Sequence, residues 1–568
     1  MVKNPKYIFV VGGVMSGVGK GVSTASIAMI LKSKGYTVTA IKSDAYINVD
    51  AGTMNPTEHG EVFVTDDGDE TDQDIGNYER FIEQNITSEN YMTTGRVYQT
   101  VIDRERNLEY NGKCVEVVPH IPEEIIRRIK LAQRKNKAEI CVIEIGGTVG
   151  EYQNILFLEA ARMLKSKNPD DVAFVLVSYL PIPSHLGEMK TKPTQHAVRL
   201  MNEAGLQPDF IIARGEQALD TVRKKKLAQF CSVDPGHLIS APDADSIYEV
   251  PAIFEKQQLG NELLDALMLK PKKIDPKKNR VNEMKKLVRT IKGVNKKVRI
   301  AVVGKYFHIG EYVLSDSYIS VIEALKHASW HFKHEPELEW LDSEVYEKDK
   351  RKLKELSKFD GVLIPGGFGS RGVEGKMLAI QYVRENKIPY FGLCYGMQLA
   401  SIEVARNVAG LKGANTVEID EDPKHPIIIV NPNQKKNIQE KHFGGTLRLG
   451  AYDCALLKGS KARAAYGKDR ISERHRHRYE FNNKYLDRLK KAGLIVSGVN
   501  PQQDLAEIVE LKGHPWFVGT QFHPEFLSRP LDPHPLFKGF IKASIANHEL
   551  SAKKPAPKKK RKTTAKKK

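Results

Sequence analysis

Cys394 lies in IPYFGLCYGMQ, residues 388–398, where an apolar run meets a cysteine flanked by Gly392 and Gly396 and a helical pattern starts at once. Glycines there permit the sharp strand-to-helix turn that holds a nucleophile out at the end of a sheet. A helix N-terminus beside the sulfur favours its thiolate. A thiolate nucleophile needs a base, and the base needs an orienting partner. FVGTQFHPE, residues 517–525, offers both. His523 and Glu525 follow an apolar run and, two residues apart on an extended segment, share one face. Gly366, Gly367, Phe368 and Gly369 follow GVLIP in a turn rich in exposed N–H groups. With the amide of Tyr395 this turn makes an oxyanion hole, each donor worth about 3–4 kcal/mol in the transition state. A lone cysteine is ordinarily a core residue and a lone HPE a turn. The three motifs in this order point instead to nucleophilic catalysis.

A second chemistry is written near the N-terminus. GGVMSGVGKG, residues 12–21, joins the apolar run YIFVV to the helical pattern STASIAMILKSKG. Backbone N–H groups of such a loop cradle phosphates, with Lys20 reaching the β and γ oxygens. The strict phosphate-loop pattern places Ser or Thr after the lysine to bind Mg²⁺, and Gly21 stands there instead. Carboxylates must then hold the metal. Asp74 in GDETDQD and Glu144 at the end of AEICVIEI are the candidates. Lys42 after the second apolar run, His59 within NPTEHGEVFVTDDG, and the loop-like KTKPTQ add further polar groups. The lysines and threonine hydroxyls of KTKPTQ suit a triphosphate.

Two sets of elements must position these residues. From residue 7 to about 269 the runs YIFVV, TVTAIK, AEICVIEI, DVAFVLVSYL, DFIIAR and HLIS alternate with helical segments. From residue 298 a second alternation runs through VRIAVVG, GVLIP, PYFGLC and FVGTQF. Alternation of this kind predicts α/β architecture, here two doubly wound domains, the first with a mainly parallel sheet. The expected organisation is a first domain over 1–269, a Lys-rich linker over 270–297, a second domain over 298–550, and a disordered basic tail over 551–568.

Length and charge agree with this division. A chain of 568 residues exceeds one ordinary core. Residues 553–568 hold ten Lys or Arg and no acid, and subtracting these ten from the net charge of +18 leaves +8. Much of the basicity therefore sits in tail and linker, which argues against a nucleic-acid surface on a folded face. Five scattered cysteines without a CxxC pair argue against disulfides and zinc and for a reducing, cytoplasmic setting. No apolar run reaches membrane-spanning length.

PGGFG, GLCYGMQ and FHPE resemble the class I glutamine amidotransferase family, in which the thiolate attacks the amide carbon of glutamine and releases ammonia. The resemblance implies that Gly367, Tyr395, Gly396, Met397, Gln398, Glu418 and Arg478 hold glutamine, the last two at its ammonium and carboxylate. Tyr395 departs from the Leu common in that family. SGVGKG, NPTEHGEVFVTDDGDETDQD, TTGR, EIGGTVG, GEMKTKPTQH and DSIYEVP, followed by the amidotransferase motifs, resemble the CTP synthase family over about residues 5–545. That resemblance implies phosphorylation of UTP at O4 by ATP and displacement of the phosphate by ammonia. Ser16, Gly17, Val18, Gly19, Lys20, Gly21, Lys42 and Asp74 would contact ATP, with Asp74 and Glu144 on Mg²⁺. Lys190, Thr191, Lys192, Pro193, Thr194, Gln195 and Lys226, with Ser16, would hold UTP, partly across a subunit boundary. His59 would gate the ammonia path. GTP activation, CTP feedback, a homotetramer and filaments are implied too. Glu151, Tyr152 and Gln153 stand where the family has Asp-Ile-Glu in the inhibitory CTP site, which implies altered feedback.

Two other readings compete. A cobyric-acid-type amidotransferase would share the phosphate loop but has no reason to carry KTKPTQ or NPTEHGEVF. PKKKRK in the tail resembles a nuclear localisation signal, although a solvated lysine tail is the better reading.

Overall fold

The computed structural model describes residues 4–552 apart from 186, 276–277, 306–307, 310–311, 314, 432–433 and 435–443. The basic tail from 553 onward lies outside the described residues.

Seven strands build the main sheet of the first domain: β1 (Lys6–Gly12), β2 (Val38–Asp44), β3 (Tyr91–Thr93), β4 (Ile140–Ile145), β5 (Val172–Tyr179), β6 (Phe210–Gly215) and β7 (Leu238–Pro242). They pair in the order β3-β2-β4-β1-β5-β6-β7, every pair parallel. All seven residues of β1 and of β2 are buried, as expected for strands covered on both faces. Helix α1 (Lys20–Ser33) follows β1, and α2 (Asp74–Ile82) packs against it. Helix α3 (Lys192–Glu203) follows β5.

The segment 270–297, expected to be a linker, is in part a structured element of this domain. Helix α4 (Arg280–Lys292) starts at Asn279, whose side chain accepts from Asn282 N–H. Val281 and Met284 are buried in the first domain's core, and Leu287, Val288 and Ile291 pack against it. These five positions lie on one face of a helix, a periodicity hidden among lysines.

Nine strands form the second sheet: β8 (Lys297–Gly304), β9 (Glu335–Asp342), β10 (Gly361–Ile364), β11 (Tyr390–Leu393), β12 (Arg448–Leu456), β13 (Arg470–His477), β14 (Leu494–Asn500), β15 (Leu505–Leu511) and β16 (Phe517–Thr520). The order is β9-β8-β10-β11-β16-β15-β14-β12-β13. The first five are parallel and the rest antiparallel. Helices α5 (Ile319–His331), α6 (Val373–Glu385) and α7 (Tyr395–Asn407) cover it.

The two domains meet through buried charge. Glu79 of α2 accepts from Arg474 at 3.0 Å through both oxygens and pairs with Arg529 at 2.5 Å, and Glu79 and Arg474 are fully buried. Arg476 donates to Glu70 at 2.8 Å. Glu61 accepts from Ser320 N–H at 3.2 Å in the first turn of α5. Phe63 meets Phe526 edge to face, centroids 5.0 Å apart. Among the described residues no helix is long and apolar enough to cross a membrane. All five cysteines are free.

Candidate functional site

β11 ends at Leu393 and α7 begins at Tyr395, leaving Cys394 alone at the bend. Its φ of 48° and ψ of −98° store backbone strain of order 1–3 kcal/mol, a cost met at functional turns. The bend is fixed by Cys394 N–H donating to Thr520 C=O at 2.6 Å, which ties the end of β11 to the strand leading into His523.

His523 Nδ1 and Glu525 Oε1 are 2.7 Å apart. The sequence places them on one extended face, but Pro524–Leu527 is a 3₁₀ turn, and the pair meets across that turn. Burial alone would lower the His523 pKa, yet the charges of Glu525 and Cys394 outweigh it and raise it to about 10. Nε2 of His523 is buried without a hydrogen-bond partner among the described residues, which leaves it for a reacting group. A Cβ on Gly366 would lie 2.9 Å from His523 Cε1. Only glycine lets the Gly366–Gly367 peptides come this close to the imidazole.

A cavity of about 410 Å³ opens on Cys394. Gly367, Gln398, Glu418, Arg478, His523 and Glu525 line it, as the motifs imply, whereas Tyr395, Gly396 and Met397 do not. Met397 faces the sheet at Gly519, and the Tyr395 ring turns beneath the glycine loop. The Tyr395 hydroxyl donates to Gly369 C=O at 2.9 Å, Gly369 N–H donates to Glu418 at 2.6 Å, and the Lys305 amine donates to Phe368 C=O. Lys376 lies 5.5 Å from the Tyr395 ring centroid, its amine buried and without a hydrogen-bond partner among the described residues. Burial, with Lys305 nearby, pushes its pKa down to about 7 against the pull of Glu418.

The opposite wall of the cavity comes from the first domain: Gly52, Pro56, Glu61 and Val62. His59 does not line it but stands at the end of the short helix Pro56–His59, edge-on to Tyr46 with centroids 5.1 Å apart. Sequence reasoning passed over Val62 and also His477, a cavity residue whose Nε2 is buried and unpartnered among the described residues. The alternation RHRHR signalled only that alternate side chains face one way.

In the first domain, Asp74 and Glu144 converge on Lys42, whose Nζ lies 2.5 Å from Asp74 Oδ2 and 3.0 Å from Glu144 Oε1. Asp44 and Asp72 stand 3.6 and 3.7 Å away. Burial opposes the charge on Lys42, but the surrounding carboxylates hold its pKa well above the usual lysine range. Burial and the neighbouring Asp74 raise Glu144, which also accepts from the Tyr78 hydroxyl. Burial would raise Asp74 too, but Lys42 overrides it and keeps Asp74 low. Lys20 begins α1 and donates to Gly147 C=O at 2.8 Å. Ser16 and Gly17 are exposed and Val18 is buried in the core, while Gly19 caps α1 with φ 82°.

KTKPTQ is not a plain loop. Lys192, Pro193, Thr194 and Gln195 form the first turn of α3, with Lys190 and Thr191 just before it. Thr194 Oγ1 is 2.9 Å from Ser178 Oγ, and Gln195 donates to Thr191 at 3.1 Å. Lys226 is exposed on the helix Thr221–Cys231. Glu151 accepts from Thr148 at 2.6 Å and from Gln153 at 3.1 Å, and the Tyr152 ring is 96% exposed. A further cavity of about 110 Å³, unforeseen from sequence, lies beside the phosphate loop between Gly19, Ser23, Arg214, Pro242, Ile247 and Val250.

A family model described as "CTP synthase N-terminus" matches residues 6–269, and one described as "Glutamine amidotransferase class-I" matches residues 313–543. A CTP synthase of Carboxydothermus hydrogenoformans is 50% identical over 546 residues, covering 96% of this chain and 99% of that protein. A CTP synthase of Bacillus cytotoxicus is 49% identical over the same length, with the same coverage. Among solved structures, a Trypanosoma brucei CTPS glutaminase domain with bound acivicin is 38% identical, with a TM-score of 0.41, and covers 44% of this chain and 94% of its own. With half of its residues shared along nearly the whole length of such relatives, the chain belongs to the CTP synthase family and converts UTP to CTP with ammonia taken from glutamine.

Proposed function

We propose that Cys394 is the nucleophile of glutamine hydrolysis, oriented with His523 and Glu525, and that ammonia leaves through the cavity wall supplied by the first domain. The observation that carries this reading is that one cavity is lined by Cys394 and His523 on one side and by Pro56, Glu61 and Val62 on the other. Sγ attacks the amide carbon of glutamine, and charge develops on the amide oxygen beside the Gly367 and Tyr395 N–H groups. The imidazolium of His523 protonates the departing nitrogen, and water then cleaves the thioester. Glu418 is suited to the substrate ammonium and Arg478 to its carboxylate.

The synthetase site uses Lys20 and the loop amides for the ATP phosphates, with Lys42 beside the transferring group. The 110 Å³ cavity, apolar with one guanidinium, fits the adenine base. Asp74 and Glu144 supply the hard oxygen donors Mg²⁺ prefers, and they already approach a single point. Water and substrate phosphates would complete the shell. When bound, Mg²⁺ would neutralise charge on the transferring phosphoryl group. Lys190, Lys192 and Lys226, with the N-terminus of α3, form the triphosphate end of the UTP site. Phosphorylation at O4 makes a leaving group that ammonia displaces.

His59 borders the ammonia path. The reading extends to GTP as activator, CTP as feedback inhibitor through Glu151–Gln153, and a homotetramer able to build filaments. Exposed apolar side chains on the first domain, among them Leu108 at 71%, Val222 at 72% and Phe230 at 61%, support self-association. Assay of CTP formation with glutamine or ammonia as nitrogen donor tests the division of labour. Cys394→Ala should abolish the glutamine reaction and spare the ammonia reaction, and loss of both overturns it.

A further inference from the structure

Behind Cys394, two buried glutamines form a chain that ends on the sulfur. Gln521 is fully buried and Gln398 is 2% exposed. Gln398 Nε2 donates to Tyr479 C=O at 3.1 Å and to Gln521 Oε1 at 3.1 Å. Gln521 Nε2 lies 3.6 Å from Cys394 Sγ. The direction of each amide is fixed by what its neighbours can do. A backbone carbonyl only accepts, so the Gln398 nitrogen must face Tyr479. The same nitrogen then faces the Gln521 oxygen, which turns the Gln521 NH₂ group toward the sulfur. Reversing Gln398 would set oxygen against oxygen, and reversing Gln521 would set its nitrogen against the Gln398 nitrogen.

The sulfur therefore has a donor close by. The carbonyl available to accept a thiol hydrogen, that of Arg476, is farther off at 4.0 Å. This arrangement favours the sulfur without its proton, because an anion gains from an N–H and a thiol gains little from a distant acceptor.

We propose that Gln521 is a catalytic residue of glutamine hydrolysis, donating to Cys394 Sγ to hold it as thiolate and in line for attack, and that Gln398 is the positioning residue that aims the Gln521 amide. As the S–C bond forms, the sulfur's negative charge passes to the amide oxygen and the Gln521 hydrogen bond relaxes. The effect is thus a larger thiolate fraction in the resting enzyme.

The inference rests on Cys394 being the nucleophile. The test is the pH dependence of Cys394 alkylation by iodoacetamide in the full-length chain, read by peptide mapping in a Cys114→Ser background because Cys114 is exposed. In Gln521→Leu the alkylation midpoint should move up by about one pH unit. The acid limb of glutamine kcat/KM should move with it, with KM changed less than kcat. Gln521→Glu should shift it further, since a carboxylate repels the thiolate. Gln398→Met, which keeps the volume and lets the Gln521 amide turn, should shift it in the same direction by less. Should Gln521→Leu fail to fold, the Gln398→Met and Gln521→Glu profiles decide. Wild-type alkylation midpoints in the folded variants overturn the inference while leaving Cys394 as nucleophile. A Cys394→Ala enzyme that still hydrolyses glutamine overturns the underlying site reading instead.

Discussion

The carboxylate of Asp74 occupies the space that a side chain on Gly21 would need: a Cβ there would lie 1.9 Å from Asp74 Oδ1. In the proposed metal site, the residue that most phosphate loops use to reach the metal is replaced by an acid arriving from another helix. Restoring the usual hydroxyl should therefore harm the enzyme. Gly21→Ser is expected to drive Asp74 out and lower CTP formation at least 100-fold with either nitrogen donor. Glutamine hydrolysis measured alone should persist within a few-fold. Undiminished CTP formation in that variant would show that Asp74 can serve from elsewhere.

The Tyr395 hydroxyl holds the Gly369 carbonyl, and Glu418 holds the Gly369 N–H. The two peptide units that flank Gly369, beside the proposed oxyanion loop, are therefore both fixed. Tyr395→Phe removes one tie and keeps the ring. Glutamine kcat should fall about 5–20-fold, equivalent to roughly 1–2 kcal/mol, with KM nearly constant. The ammonia-dependent reaction should not change.

Lys376 gives the second domain a pH signature. Its pKa falls from 10.5 to about 7 on folding, through burial and Lys305 with Glu418 opposing. Between those two values the unfolded chain binds the extra proton, so stability rises with pH from about 7 to about 10.5. Lys376→Met should remove that slope and stabilise the domain at pH 6 by roughly 1–4 kcal/mol. Urea unfolding at pH 6 and pH 9 measures both effects, and a slope that survives the substitution would assign it to another group.

Glu79 neutralises Arg474 and Arg529 in the domain interface. Glu79→Ala leaves two guanidinium groups in place without their shared partner, an expected cost of about 3–5 kcal/mol. Thermal unfolding should then resolve into two transitions, and CTP formed per glutamine hydrolysed should drop. A single wild-type transition would mean the domains are held mainly by apolar contacts such as Phe63–Phe526.

The strands were the most legible part of the fold because parallel strands covered on both faces are unbroken apolar runs, as in KYIFVVG and ICVIEI. The three-residue β3 was too short to carry a pattern. Helix α4 was obscured by lysines lying between its apolar positions. KTKPTQ reads as a loop from its Pro and Thr, yet Pro is also at home in the first turn of a helix, where α3 places it. The proposed nucleophile, base and phosphate lysine stood out as candidates because each sits in a short motif. Glu79 and Arg474, 395 residues apart, had no such local signal. Gln521 was visible in GTQFHPE, but its direction depends on Gln398 and Tyr479, which only folding brings alongside.

The cavity between Cys394 and the first domain also bears on supply. One ammonia molecule confined to about 410 Å³ is at an effective concentration of roughly 4 M. In the proposed transfer, each glutamine hydrolysed would give the synthetase a local dose that free ammonia would match only at molar levels in the surrounding medium.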